Sequence, residues 1–282
     1  MSSSIFVRDL CKAFPDFTLD HVSFQVPRGR IVGFIGENGA GKSTTINLIL
    51  NELKKDGGTV EVLGRDHTDP AVKGSVGVVF DSCSFPEVFT PLDVERILAG
   101  TYSAWDSPAY RGYLKRFGLP ERKKIRTFSK GMKMKLAISG ALSHQPKLLI
   151  LDEATAGLDP VVRNEILDIL LDFIQDEEHS VFFSSHITSD IQRIADYVVL
   201  IHQGRIVFEE EKDALLDCYG ILRCGKGAEV DHEDYIARRT TGVSAEYLVR
   251  DRAAAGKKYP KAVADAASLE DIMLFYIKGE LS

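Results

Sequence analysis

The chain has 282 residues, of which 44% are hydrophobic and 27% are charged, which is ordinary for a folded protein with one large or two modest domains. Its formal net charge is −6, so no overall basic field favours nucleic acid as a partner. The four cysteines have neither Cys-x-x-Cys spacing nor an accompanying histidine cluster. This pattern favours scattered thiols over a metal site or disulfides.

The N-terminus and the apolar runs predict where the protein resides. Residues 1–4 lead directly into a strand-like segment without a secretory leader. The apolar runs fall well short of the roughly 18 residues that span a bilayer. We therefore expect a cytoplasmic protein that reaches a membrane only through a partner.

Apolar periodicity predicts strands alternating with helices up to about residue 211. Such alternation is typical of a mainly parallel α/β sheet, here with flanking antiparallel strands at the N-terminal side. Residues 86–146 differ, because apolar residues recur there at helical spacing between prolines, which predicts a helical insert. Strands are expected at residues 4–8, 22–26, 31–35, 59–64, 75–80, 147–151, 181–185, 197–201 and 205–208, helices at 45–53, 163–174 and 190–195, and a turn at 57–58.

The segment 212–282 is expected to form a small α+β accessory region after a main domain at 1–211. Residues 221–224 and 247–249 are candidate strands. Ser268 and the acidic residues after it predict a helix start. Four apolar residues then share one helix face, and we expect this face to pack onto the body of the protein rather than to serve as a docking surface. These residues are Leu269, Ile272, Met273 and Tyr276.

A glycine-rich loop at residues 36–44 lies between a predicted buried strand and a predicted helix, and it matches the pattern Gly-x-x-x-x-Gly-Lys-Ser. Glycines allow backbone N–H groups to surround a phosphate, and the helix N-terminus adds positive potential. Lys42 would reach the β- and γ-phosphates of ATP, and the Ser43 hydroxyl would take one position around Mg²⁺. The candidate nucleotide-contacting residues are Gly36, Asn38, Gly39, Ala40, Gly41, Lys42, Ser43 and Thr44.

Two carboxylates follow a second apolar strand, 110 residues after Lys42 (152 − 42). Acidic residues often open helices after strands, so the pair is specific only together with the phosphate loop. In that context we assign Asp152 to the Mg²⁺ shell and Glu153 to the water that attacks the γ-phosphate.

An aromatic residue upstream of the loop could stack on the adenine ring. Phe14 and Phe17 lie between the first two predicted strands, and we place Phe14 ahead of Phe17. The alternative, a core aromatic that anchors the hairpin, fits the spacing equally well.

Three further motifs complete a resemblance to the ATPases of ABC transporters. Residues 128–132 resemble the signature motif of that family, residues 156–159 its D-loop, and residues 184–186 its switch histidine. The resemblance extends over residues 5–210, with every motif in order. The segment 269–278 is similar to the tail of small bacterial exporter ATPases that work with a separately encoded permease.

The resemblance implies a head-to-tail dimer that encloses two ATP molecules. Each ATP would lie on the phosphate loop of one subunit and face Ser129 and Gly131 of the other. Asp159 would link the two sites, and His186 would donate a hydrogen bond to the γ-phosphate. The remaining histidines are expected to be surface or structural residues.

Three positions depart from the family pattern. Asp81 stands where the family usually has glutamine. Direct contact of Asp81 with Mg²⁺ is predicted with the same weight as an indirect or structural role. Lys130 and Met132 replace glycine and glutamine in the signature motif, whereas Ser129 and Gly131 are retained. We therefore expect ATP hydrolysis to survive, and Lys130 to be solvated rather than directed at the phosphate.

The resemblance favours an ATP-hydrolysing subunit that powers transport, in the export direction, through a separate membrane permease. The alternative is a soluble ABC ATPase without a transport role. The 87 residues between Lys42 and Ser129 (129 − 42) leave no room for the coiled coil of DNA-repair relatives. A homodimer and a permease are the expected partners, and residues 82–110 the expected docking surface for the permease.

Overall fold

The computed structural model describes residues 3–225, 230–240 and 244–282. Within these ranges the strands are β1 (Ser3–Ala13), β2 (Thr18–Pro27), β3 (Ile31–Ile35), β4 (Gly57–Val62), β5 (Arg65–Asp66), β6 (Val76–Val79), β7 (Leu148–Asp152), β8 (Ser180–Ser185), β9 (Tyr197–His202), β10 (Arg205–Glu211), β11 (Gly220–Gly225), β12 (Ala237–Thr240), β13 (Ser244–Val249), β14 (Val263–Ala266) and β15 (Glu280–Leu281). The α-helices are α1 (Lys42–Ile49), α2 (Pro70–Lys73), α3 (Pro91–Thr101), α4 (Ser107–Arg116), α5 (Lys130–Leu142), α6 (Pro160–Phe173), α7 (Thr188–Ile194), α8 (Lys212–Cys218), α9 (Arg252–Lys258) and α10 (Leu269–Lys278).

A six-stranded sheet in the order β10-β9-β3-β8-β7-β6 forms the centre of the fold. Its strands are parallel except β10, which pairs antiparallel with β9. Every residue of β3, β7 and β8 is buried, because helices cover both faces of a parallel sheet and demand nearly continuous apolar strands. The predicted mainly parallel α/β fold is confirmed.

A second, antiparallel sheet, β2-β1-β4-β5, packs beside the central one. Three packed rings join the two sheets, with centroids 5.4 Å apart for Phe24 and Phe34 and 5.2 Å for Phe34 and Phe182. Gly57 and Gly58 lie inside β4, so the turn predicted there is wrong. Gly58 adopts a positive φ and approaches Asp9 on β1 too closely to leave room for a β-carbon, which explains why glycine occurs within this strand.

The first helix is shorter than the sequence predicted. Leu50 caps α1, and Asn51 then adopts a left-handed φ of 56°, a conformation that asparagine tolerates and that ends helices. The predicted end at residue 53 is therefore wrong. The predicted helical insert, in contrast, is present: α3, α4 and α5 enclose a cluster of their own around Val94, Tyr110 and Leu136.

The C-terminal segment forms a five-stranded sheet, β14-β11-β13-β12-β15, with α9 and α10 against it. Helix α10 begins with a capping box between Ser268 and Asp271, as predicted. Its residues Leu269, Ile272 and Phe275 are buried in the same cluster as the central sheet, so the predicted packing of this face is confirmed. Because that cluster continues across residue 211, the domain boundary there stays a prediction.

The helices in the described ranges are all too short or too polar to cross a membrane.

Candidate functional site

The glycine-rich loop follows β3 and is fixed by close contacts on both sides. A β-carbon at Gly36 would lie 2.4 Å from the carbonyl oxygen of Ile201, so only glycine fits there. Gly41 has a φ of 115°, and a β-carbon would meet the Phe17 ring at 2.9 Å. The backbone N–H of Gly204 donates to the carbonyl of Ala40 at 3.0 Å. The hairpin turn between β9 and β10 thus holds the loop in place.

Lys42 opens α1, and its side chain is nearly buried, with 5% exposed. Its ammonium donates to the carbonyls of Gly36 at 2.8 Å and Glu37 at 3.1 Å. The same nitrogen lies 3.2 Å from Oε1 of Glu153. Ser43 is exposed at the next position. The loop therefore curls around one positive charge at the N-terminus of a helix, an arrangement suited to a phosphate.

The two predicted carboxylates stand at the end of β7. Ser184, on the neighbouring strand β8, donates its hydroxyl to Oδ1 of the buried Asp152 at 2.6 Å. The backbone N–H of Glu153 lies 3.1 Å from both the hydroxyl and the carbonyl oxygen of Ser184. Glu153 has a φ of 52°, a strained conformation for a residue with a β-carbon. One serine therefore positions both acidic residues.

Glu153 also contacts the predicted switch histidine. His186 follows β8, and its Nδ1 lies 2.6 Å from Oε2 of Glu153. A carboxylate accepts only, so the ring donates Nδ1–H in this contact. The other oxygen, Oε1, is buried and has no hydrogen-bond partner, although it forms the ion pair with Lys42. Glu153 thus lies between two potential donors to a phosphate.

The parallel strands explain why these residues meet. Ile35 pairs with Ser185, and Asp152 pairs with Ser184, so β3, β7 and β8 end at one edge of the sheet, where ligands bind in open α/β folds. A cavity of about 440 Å³ opens there. Its lining residues are Asp16, Phe17, Asn38, Gly39, Gly41, Lys42, Ser43, Thr44 and Glu153.

The aromatic residue at this cavity is Phe17 rather than the preferred Phe14. Phe17 lines the cavity and touches Gly41, whereas Phe14 is 38% exposed and lies outside the lining. The two ring centroids are 6.4 Å apart. The chain reverses between these residues, with the Phe14 N–H bonded to the Phe17 carbonyl, and this turn brings the Phe17 ring to the loop. Stacking of Phe14 on adenine stays a prediction.

The signature and D-loop residues lie at the starts of two other helices. Ser129 is the N-cap of α5 and accepts the Met132 N–H at 3.2 Å. Asp159 is the N-cap of α6 and accepts two backbone N–H groups at 3.1 Å. A β-carbon at Gly131 would lie 3.2 Å from the Val162 side chain. None of the three predicted residues lines the cavity at Lys42 in its own chain.

Two of the three residues that depart from the family pattern, Asp81 and Lys130, are exposed. Asp81 lies two residues beyond the end of β6, the strand next to β7, and so at the same sheet edge as Asp152. Lys130 extends towards the loop before α6, where its ammonium lies 3.1 Å from the position of a β-carbon at Gly157.

A buried polar network lies behind the site, and the sequence did not predict it. Asp190 on α7 is 2% exposed, and its Oδ1 lies 3.1 Å from Nε of Arg163 on α6. Burial raises the pKa of Asp190, while the Thr155 hydroxyl and Arg163 oppose that rise. The network joins the helix after Asp159 to the helix after His186. Ser184 was also missed as a positioning residue, since a serine in a strand carries no signal of its partner.

Comparison with known proteins agrees with this architecture. Residues 19–156 match the ABC transporter family. The chain is 34% identical over 220 residues to the bacitracin transport ATP-binding protein BcrA of Bacillus licheniformis, covering 76% of this chain and 72% of that protein. It is 30% identical over 210 residues to the lantibiotic transport ATP-binding protein SrtF of Streptococcus pyogenes, covering 73% and 90%.

Solved structures give the same result. An ATP-binding subunit of an ABC transporter superposes with a TM-score of 0.67 at 28% identity, over 76% of this chain and 92% of that one. The cbiO1 subunit of the ABC transporter complex cbiONQ from Clostridium perfringens superposes with a TM-score of 0.64 at 25% identity, over 76% and 90%.

The fold and the site thus define a P-loop ATPase. The chain belongs to the ABC transporter family, as an ATP-binding subunit. It binds and hydrolyses ATP to power transport through a separate membrane permease. This confirms the predicted function over the alternative of an ABC ATPase without a transport role.

Proposed function

We propose that two copies of the chain assemble head to tail and that each ATP is hydrolysed between them. The convergence of Lys42, Glu153 and His186 on one sheet edge carries this proposal, since it supplies one side of a γ-phosphate site. Ser129 is exposed at the start of another helix, and the buried Gly131 follows in its first turn; both lie outside that cavity. A hydroxyl, a close backbone and a helix N-terminus are suited to the γ-phosphate held by a partner.

On this proposal Lys42 turns its ammonium from the carbonyls of Gly36 and Glu37 to the phosphates of ATP. The donors near it fit Mg²⁺, which prefers carboxylate and hydroxyl oxygens. Asp152 uses Oδ1 for Ser184 and retains further acceptor capacity, and Ser43 offers an exposed hydroxyl. Bound Mg²⁺ would neutralise charge that develops on the β- and γ-phosphates. Contact of Asp81 with the ion stays a prediction.

Glu153 orients the attacking water and accepts its proton, since its carboxylate is held at the site by Lys42 and His186. His186 already donates Nδ1–H to Glu153. A ring that carries both protons can also donate from Nε2 to the γ-phosphate, so the doubly protonated form serves both contacts. Asp159 connects the two sites across the dimer, and Phe17 stacks on adenine.

We propose that the permease docks where the loop that contains Asp81, after β6, meets the helical insert. The subunit would then work at the cytoplasmic face of the membrane. A cavity of about 220 Å³ lies at this junction, lined by Phe80, Ser82, Ser84, Phe85, Leu98, Tyr102 and neighbouring residues. Val88 and Ile97 nearby are 63% and 48% exposed. Replacement of either by Asp should abolish co-purification with the permease and leave ATP turnover intact; co-purification by both variants would exclude this surface.

The resemblance of residues 269–278 to the tail of exporter ATPases supports export as the direction. Transport into inverted membrane vesicles that carry the assembled complex would show this direction, whereas loss of cargo from them would indicate import.

The first test compares ATP turnover and molar mass for the wild type and Glu153→Gln. The wild type should hydrolyse ATP, and the variant should bind Mg-ATP without turnover and reach twice the 31.2 kDa of one chain in light scattering. Glu121→Gln, at an exposed glutamate, is the matched control and should behave as the wild type. A Glu153→Gln protein that remains monomeric with Mg-ATP would contradict the proposal.

A further inference from the structure

We propose that Cys11, Asp20 and His21 form a zinc site near the turn of the β1–β2 hairpin. Cys11 lies near the end of β1, and the other two residues lie near the start of β2. Candidate ligand atoms of the three side chains lie within 4.8 Å of one another. Among the residues that the structure describes, this is the one group of three or more histidine, cysteine and carboxylate side chains whose ligand atoms lie this close together.

The distances suit a single ion with small side-chain adjustments. Nδ1 of His21 lies 2.6 Å from Oδ1 of Asp20. The backbone N–H of His21 donates to the Cys11 sulfur at 3.4 Å, which holds the sulfur beside this residue. Tetrahedral zinc with ligand bonds of about 2.0–2.3 Å places its ligand atoms about 3.3–3.8 Å apart. The separation between His21 and Asp20 would widen as the ion replaces the proton that they share. The exposed imidazole, at 71%, has room to turn.

The three donors differ in kind, and together they suit zinc. A thiolate, an imidazole and a carboxylate are the side chains that bind Zn²⁺, and a water completes a four-coordinate shell where the site is open to solvent. Mg²⁺ avoids sulfur, so this site would not compete with the phosphate loop for that ion. Binding requires loss of the Cys11 thiol proton, which is released to solvent.

A second residue supports the carboxylate. Arg205 on β10 donates Nε–H to Oδ2 of Asp20 at 2.8 Å, which leaves Oδ1 for the ion. Partners of this type orient metal ligands, and their loss costs about 10–100-fold in affinity.

The sequence does not predict this site, because its three residues come from two different strands. Cys11 and His21 are ten residues apart, without the short spacing of familiar zinc motifs. Antiparallel pairing brings the two strand ends together, with Lys12 opposite Leu19. The carboxylate of Asp56 lies close to this hairpin but is already held by Lys12 and the Ala13 N–H.

Cobalt provides the direct test, because Co²⁺ bound to a thiolate gives a charge-transfer absorption band. The full, reduced, nucleotide-free chain should bind one Co²⁺ with this band, and Zn²⁺ should displace it while excess Mg²⁺ should not. Cys11→Ser should lose the band, and Arg205→Ala should weaken Zn²⁺ binding by about 10–100-fold. Cys218→Ser, at an exposed cysteine outside the cluster, is the control and should keep the band.

Thermal unfolding with and without Zn²⁺ gives a second measurement. Zinc should raise the melting temperature of the wild type through mass action, and His21→Ala should lose this rise while its metal-free melting temperature stays close to that of the wild type. Absence of a thiolate band in the wild type, or an unchanged band in Cys11→Ser, would overturn the proposal. A zinc-induced rise that persists in His21→Ala would overturn it as well.

Discussion

Ser184 connects the two acidic residues at the end of β7. Its hydroxyl donates to Asp152 and lies within hydrogen-bond distance of the Glu153 N–H, and its carbonyl accepts the same N–H. These contacts fix Glu153 in its left-handed backbone conformation and leave its side chain between Lys42 and His186. The chemistry of the site therefore depends on a residue that need not touch ATP.

Replacement of Ser184 by Ala should lower ATP turnover by about 10–100-fold. A hydrogen bond to a charged group contributes about 1.5–3 kcal/mol, and a loss of that size in the transition state corresponds to this range of rates. Ser180→Ala is the control, since Ser180 is equally buried on β8 but bonds to Ser4 and Gly29. Equal turnover in the two variants would show that Ser184 has no positioning role.

The elements of the site were predicted because their local patterns agree with the fold. Strands β3, β7 and β8 are apolar runs bounded by turn or acidic residues, and each was placed within about one residue of its observed limits. Strands β12 and β14 were missed, because the sequences ARRT and VADA lack apolar alternation. Contacts between distant strands, such as Ser184 with Asp152, carry no local pattern, so sequence could not place them.

His144, just beyond α5, connects the helical insert with the central sheet. It is 2% exposed, it donates Nε2–H to the Val76 carbonyl at 3.2 Å, and its ring stacks on Tyr102 with centroids 4.1 Å apart. Burial lowers the pKa of His144 from its ordinary value of 6.5. The folded protein therefore keeps this ring neutral in conditions where the unfolded chain protonates it.

This difference predicts a loss of stability in acid. As the pH falls below about 6.5, the unfolded state gains a proton that the folded state does not, so the free energy of unfolding decreases. Urea unfolding at pH 7.5 and 5.5 should show a smaller decrease for His144→Gln than for the wild type. His202→Gln, at a half-buried histidine on β9, should retain the full decrease; an equal decrease in all three proteins would refute the assignment.

At the scale of the whole molecule, the C-terminal segment is part of the main core. Helix α10 packs against α7, the helix that follows His186, and Phe275 is 1% exposed in the shared cluster. Phe275→Ala should lower the free energy of unfolding by about 3–5 kcal/mol. Val263→Ala, at a residue 59% exposed on β14, should change it by about 0.5 kcal/mol or less. Urea unfolding of both variants measures the contrast; similar losses would contradict a shared core.

The proposed head-to-tail dimer predicts complementation between two inactive variants. Lys42→Ala removes the phosphate ligand of one half-site, and Ser129→Arg blocks the other. Each protein alone should lose ATP turnover, because every site in its homodimer contains a defect. Mixing them should restore part of the wild-type rate, because a mixed dimer holds one site with both Lys42 and Ser129. Absence of recovery in a mixture shown to form mixed dimers would exclude a shared site.

The position of β3 has a consequence for synthesis of the chain. This strand covers residues 31–35, yet its neighbours in the sheet are β8 and β9, which end at residues 185 and 202. A ribosome must therefore add about 150 residues before either edge of β3 can pair. Until then an apolar strand with two unpaired edges is exposed to other chains, which favours aggregation. The phosphate loop, though made early, is among the last parts of the nascent protein to acquire its native surroundings.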